Sequence, residues 1–120
     1  MKKLLFILVT FMSYSCSDHG LDMVVHNMAE EPIYDIIIST DDTLASVSIQ
    51  ELLVGKSEKR FLNMEDVEMR DGCYLIEYTI GGRRVEKDFG YYTNGYSPEN
   101  RIDISVFQDS IIYDGRIGLF

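Results

Sequence analysis

Long apolar runs are missing from this chain. Beyond the first fifteen residues no segment approaches the ~18 consecutive apolar residues that a membrane-crossing helix needs. Even the strongest run, Leu4 to Met12, is nine residues with Thr10 inside it. At about 1.5 Å per residue it reaches under half of a bilayer core. Basic charge is scarce too. Eleven Lys and Arg against twenty Asp and Glu leave a formal net charge of −9, which makes nucleic acid a poor partner and sets the surface against anionic headgroups. Of the two histidines, His19 and His26, neither has a second histidine, a cysteine cluster or a carboxylate pair at ligand spacing, which argues against zinc and against a catalytic base. The cysteines are Cys16 and Cys73, so at most one disulfide can form, and none if Cys16 is otherwise engaged. Cys73 lacks a basic neighbour, and nearby Asp71 would raise its pKa, so it reads as a small strand residue rather than a nucleophile. The serines lack a Gly-x-Ser-x-Gly elbow. The acidic clusters, Asp41-Asp42 and Glu65, Asp66, Glu68 with Asp71, lack the order and central glycine of an EF-hand and read as solvated turns. These absences predict a protein that is not an enzyme and takes no cofactor and no metal.

What the chain does have begins at its start. Lys2-Lys3 supplies a basic start, Leu4 to Met12 an apolar core, and Ser13-Tyr14-Ser15 small residues at the two positions a signal peptidase reads, directly before Cys16. That layout is a secretory signal. The stretch resembles bacterial lipoprotein precursors, whose signal ends in a small residue and then the cysteine that becomes diacylated. Ser15 and Cys16 match that pattern, Ser13 and Tyr14 depart from it, and Ser17-Asp18 is similar to an outer-membrane sorting context. The resemblance implies a signal helix over 1–15, a lipidated tether over 16–20 and a domain over 21–120. It implies attachment to the outer membrane through lipid on Cys16, facing the periplasm or the outside. An ordinary peptidase cutting at the same bond gives the alternative, a soluble secreted or periplasmic protein. Loss of Lys2 and Lys3 in either case takes the formal charge from −9 to −11.

From Leu21 onward the apolar residues recur with period two. Leu21, Met23 and Val25 share one face. In Ile33 to Ser39, Tyr34, Ile36 and Ile38 fall on one side. Ala45, Val47 and Ile49 alternate with serines and Gln50, and Gly55 is placed to turn the chain into a charged strand, Ser57 to Leu62. Asn63 to Arg70, with Asn63 able to cap, is expected as a short helix or irregular loop. Tyr74, Ile76, Tyr78 and Ile80 alternate up to Gly81-Gly82. A two-residue turn there pairs Ile80 with Arg83, Tyr78 with Val85, Ile76 with Lys87, Tyr74 with Phe89 and Cys73 with Gly90. Ile102, Ile104 and Val106 alternate next, and Asp114-Gly115 signals a last hairpin. The spacing predicts an all-β domain, an antiparallel β-sandwich of about seven to nine short strands. Gly72, Tyr74 and Ile76 resemble the strand entry of immunoglobulin-like sandwiches, with a transthyretin-like order as the alternative.

One stretch stands out as a binding candidate. Phe89-Gly90-Tyr91-Tyr92-Thr93-Asn94-Gly95-Tyr96 carries four aromatics in eight residues around an Asn-Gly turn. Tyr91, Tyr92 and Tyr96 could stack on sugar rings or a partner protein, with Asn94 supplying hydrogen bonds. Strand phase instead sends Phe89 and Tyr91 inward as core. Arg83 and Arg84, at the hairpin tip, are a second candidate contact for an acidic group. The expected function is a small lipid-anchored envelope protein acting as a non-catalytic binding module for an envelope protein or glycan. An inhibitor or immunity-type lipoprotein with a basic target and a structural role are the alternatives.

Overall fold

The computed structural model describes residues 19–117. The expected signal segment, the lipidation of Cys16 and the last three residues lie outside the described residues. Eight strands follow in order: β1 Gly20–Asn27, β2 Ile33–Thr40, β3 Ser46–Leu52, β4 Ser57–Asn63, β5 Gly72–Ile80, β6 Arg83–Tyr92, β7 Arg101–Val106 and β8 Ile111–Arg116. They form two four-stranded sheets, β4-β1-β7-β8 and β3-β2-β5-β6. The domain is an all-β sandwich, as the period-two alternation predicts, and no helix occurs among the described residues. Every ladder is antiparallel except β1–β7, which is parallel.

The core follows from the alternation. Met23, Val25, Leu62, Ile102, Ile104 and Val106 on one sheet face Ile33, Ile38, Tyr74, Ile76, Phe89 and Tyr92 on the other, all essentially without solvent exposure. Burying side chains of this size contributes roughly 1.5–3 kcal/mol each. The β5–β6 hairpin adopts the expected register, with Ile80 opposite Arg83, Tyr78 opposite Val85, Ile76 opposite Lys87 and Tyr74 opposite Phe89. Gly81 and Gly82 make its turn at φ +55° and +76°, the left-handed geometry of a type I′ hairpin.

Three stretches depart from expectation. In β2 a bulge with Asp35 at φ +51° breaks the phase, so Ile33 and Ile36 point inward while Tyr34 is exposed. In β6 Gly90, at φ +62°, shifts the ladder from Tyr74–Phe89 to Gly72–Tyr92. The expected Cys73–Gly90 pair is therefore lost, and Tyr92 rather than Tyr91 turns into the core. Asp114-Gly115 is not a turn. It lies inside β8, with Gly115 opposite Ile102 and Asp114 opposite Asp103. The space that a side chain at Gly115 would need is filled by the Glu99 carboxylate, 2.6 Å from an ideal Cβ. The β7–β8 turn is at Phe107–Ser110, where the Phe107 N–H donates to the Ser110 carbonyl at 2.8 Å. Residues 64–71 take the second of the two expected forms, an irregular loop, because Met64 and Val67 both drop into the core and Asn63 accepts from the Glu65 N–H.

The sandwich has two ends. At one, the chain enters at His19, and the 64–71 and 93–100 loops lie beside it: the Met64 N–H donates to the His19 carbonyl at 2.7 Å and the Gly95 N–H to the Arg70 carbonyl at 3.0 Å. At the other lie the Asn27–Pro32 loop and the β3–β4, β5–β6 and β7–β8 turns. Asn27 closes that second end. It is buried, its Nδ2 donates to the Glu31 and Leu52 carbonyls, and its Oδ1 accepts from the Ala29 N–H.

Candidate functional site

The Tyr91–Tyr96 stretch sits at the end where the chain enters. Thr93 and Tyr96 exchange both backbone hydrogen bonds at 2.9 Å. Between them Asn94 and Gly95 stand at φ +55° and +79°, so Asn-Gly makes the tight two-residue turn its chemistry favours. The surroundings fix the turn in place. The Asn94 N–H donates to the Asp71 carboxylate at 2.9 Å, and His19 Nε2–H donates to the Gly95 carbonyl at 3.0 Å. The His19 ring stacks on Tyr96 with centroids 4.0 Å apart and planes 16° from parallel. Tyr96 nevertheless stays half-exposed, at 51%. Tyr91 is exposed as well, and so is Met69, whose backbone lies 3.4 Å from an ideal Cβ on Gly95.

Tyr92 does not belong to this surface, contrary to the expectation that it stacks on a ligand. Its ring is fully buried and packs on Tyr74 with centroids 5.5 Å apart. Its hydroxyl donates to Asp41 Oδ1 at 2.8 Å, and burial, followed by that carboxylate, holds its pKa well above the ordinary tyrosine value. Asp41 is also bound by the Arg70 guanidinium at 3.0 Å, so Tyr92 and Arg70 lock the 41–45 loop to the 64–71 loop beneath the exposed aromatics.

Arg83 and Arg84 lie at the opposite end of the sandwich, so the two sequence candidates are not brought together. Arg84 is occupied structurally. It donates to the Asp35 carbonyl at 2.8 Å and to the Thr79 hydroxyl at 3.0 Å, pinning the β2 bulge to the hairpin. Arg83 is exposed beside a shallow cleft of about 80 Å³ bordered by Tyr78, Val85, Lys87, Gln108 and Asp109.

Cys73 is half-buried. Burial, and then Asp88 and Asp41, push its thiol up, which keeps it protonated and poorly nucleophilic. The expected influence of Asp71 is not among these causes.

A constellation not legible in the sequence lies on the outer face of the β4-β1-β7-β8 sheet. His26 Nδ1 is 2.6 Å from Ser57 Oγ, and Nε2 is 2.9 Å from Asp103 Oδ1. Asp103 is also held by Arg101 at 2.8 and 3.0 Å and approached by Arg116 at 3.5 Å. The Arg101 hydrogen bonds, aided by His26 and Arg116, depress its pKa to about 2 against opposing burial. A hollow of about 520 Å³ on the same face is lined by Gly20, Asp22, Phe61, Asn100 and Arg101, toward the far end of β1 from His26. Outward phase on each strand was readable for His26 and Asp103. Their contact comes from the parallel β1–β7 pairing, which joins residues 77 positions apart.

No family model matches this chain, and no curated protein matches it. Among solved structures it is similar to a protein from Eubacterium rectale determined by NMR. The match has a TM-score of 0.60, spans 90% of this chain and 99% of that one, and carries 9% sequence identity. Likeness at that identity shows the sandwich fold.

Proposed function

We propose that this protein is a lipid-anchored component of a bacterial cell envelope that acts by binding, and that its contact surface is Tyr96 with Tyr91 and Met69 beside it. The observation that carries this reading is the rigid display of Tyr96. Five hydrogen bonds and the His19 stack hold its turn, while half of its surface stays open. A fixed aromatic surface loses little conformational freedom when it meets a partner, which is why tyrosine recurs on binding surfaces. His19 lies three residues after Cys16, a span of at most about 11 Å of extended chain. On the lipid-anchored reading the surface therefore works close to the bilayer, against an envelope protein or a glycan found there.

The test has two parts. Metabolic labelling with a fatty acid is expected to mark the wild type and not Cys16→Ser; labelling of both, or of neither, refutes the anchor. Glycan arrays and envelope pull-downs are then compared for wild type and for Tyr96→Ala and Tyr91→Ala. Binding that is lost with the fold intact supports the surface, and binding unchanged in both variants refutes it.

The Ser57–His26–Asp103 line favours a second reading, hydrolysis, in which His26 takes the Ser57 proton through Nδ1 and Asp103 holds Nε2–H. A serine-directed fluorophosphonate that labels wild type and not His26→Ala would establish it. No labelling leaves the line as a structural clamp between β4, β1 and β7.

A further inference from the structure

A sandwich has four sheet edges, and here they are treated unequally. On one side β3 and β4 close on each other, with the Arg60 guanidinium of β4 donating to the Ser48 carbonyl of β3 at 3.2 Å. On the other side β6 carries Arg83, Arg84, Glu86, Lys87 and Asp88 and the Gly90 bulge, the devices that keep an edge from pairing with another chain. Its neighbour β8 has neither lysine, proline nor bulge, and it is the outermost strand of its sheet. Ile112 is 60% exposed, Tyr113 49% and Ile117, just past the strand, 66%.

Charge makes the edge specific. In the β7–β8 ladder Arg101 stands directly opposite Arg116, and Asp103 directly opposite Asp114. Like charges directly opposed in a ladder are unfavourable. Asp103 escapes by pairing with Arg101 along its own strand and with Arg116 at 3.5 Å, whereas among the described residues Asp114 has one cation, Arg116 at 3.9 Å, and its side chain is 72% exposed. A second cation for Asp114 would stand on the open side of β8.

We propose that β8 pairs antiparallel with β8 of a second copy of this chain, about a two-fold axis through Gly115. That register sets Asp114 opposite the partner's Arg116 and Tyr113 opposite the partner's Ile117. Each charged row then runs Arg101, Arg116, the partner's Asp114, the partner's Asp103, so that opposite charges meet at the joint. The neighbouring register, with its axis through Asp114, sets that carboxylate against its own copy and is disfavoured. With glycine on the axis, no two side chains stand directly opposite each other at the centre of the joint. The one like-charge contact is between the two Glu99 carboxylates, each lying over Gly115. Because antiparallel pairing points the two His19 ends in opposite directions, a dimer with both copies lipid-anchored in one bilayer lies with its strands along the membrane.

Sedimentation velocity of the full chain in detergent, across a concentration series, tests the pairing. Wild type is expected to pass from monomer to dimer. Asp114→Arg, which sets arginine against arginine at the joint, is expected to weaken association about tenfold or more, since two exposed ion pairs become two repulsions. Adding Arg116→Asp to it restores opposite charge across the joint and is expected to restore the dimer, and Glu99→Gln is expected to tighten it. Thermal unfolding of each variant separates lost pairing from lost fold. Oxidation of Tyr113→Cys with Ile117→Cys in a Cys73→Ser background should give a cross-linked dimer, because directly opposed Cα atoms lie about 4.5–5.5 Å apart, inside the span of about 4.4–6.8 Å that a disulfide bridges; each single variant is the control. A wild type that stays monomeric throughout, a dimer indifferent to Asp114→Arg, or a charge swap that fails to restore it overturns the proposal.

Discussion

Asp103 draws together side chains of three strands, because His26 of β1, Arg101 of β7 and Arg116 of β8 all reach its carboxylate. Its pKa, lowered from 3.8 to about 2 chiefly by Arg101, ties this cluster to stability. A carboxylate with a depressed folded-state pKa stabilises the fold above its unfolded value, and the contribution is lost as pH falls from about 4 through 2. The loss amounts to about 2 kcal/mol. Urea unfolding at neutral pH and near pH 2 is expected to show this difference in wild type, and Asp103→Asn is expected to flatten it. The tyrosines divide at the same scale. Tyr92→Ala opens the core and is expected to cost about 3–5 kcal/mol, while Tyr91→Ala, on the surface, stays within about 0.5 kcal/mol; chemical denaturation of the two variants distinguishes them. Asn27→Ala leaves the buried Leu52 carbonyl and Ala29 N–H and the partly buried Glu31 carbonyl without their partner, and is expected to lower the midpoint by an amount equivalent to about 1–3 kcal/mol.

Elements were legible wherever two conditions held: strict alternation and a turn with its own chemistry. The β5–β6 hairpin meets both, and its register could be read from Ile80–Arg83 as far as Tyr74–Phe89 from the alternation and Gly81-Gly82. Where one extra residue enters a strand, alternation misleads, because a bulge reverses the phase of everything beyond it. That is why Tyr34 and Ile36 part company at Asp35, and why Tyr91 and Tyr92 exchange places at Gly90. The Gly90 bulge gives a test of the element. Alanine there would hold φ near +62° and bring its Cβ within 3.2 Å of the Tyr74 ring. Gly90→Ala is expected to cost about 1–2 kcal/mol for the left-handed backbone alone, measured by thermal or urea unfolding. Asp114-Gly115 shows the converse error. The dipeptide has the composition of a turn, but its glycine serves close packing against Glu99 inside a strand.

At the scale of the whole molecule, the sandwich places the exposed Tyr96 turn at the end where the chain enters and the Gly81-Gly82 hairpin tip at the other. Any partner that meets Tyr96 therefore does so at the end next to the expected tether, and Arg83 cannot share it. On the proposed outer-membrane anchor, protease treatment of intact cells, followed with an antibody to the domain, is expected to read out which membrane face carries that end. Degradation places the domain outside the cell, and protection until the outer membrane is opened places it in the periplasm.

The sequence by itself determined the strand content, the hairpin register and the class of the fold, because period-two burial and turn chemistry are local properties of a chain. It also singled out the aromatic turn, since Asn-Gly between tyrosines is a local signal. Tertiary structure decided the rest. Whether Tyr91 or Tyr92 faces the core depends on a bulge that forms only against the Gly72 end of β5. His26 meets Asp103 only through a parallel pairing of β1 with β7. The open edge of β8 exists because, among the described residues, β7 is its one neighbour in the sheet. Each of these depends on which strands lie side by side, and alternation along one strand carries no record of its neighbours.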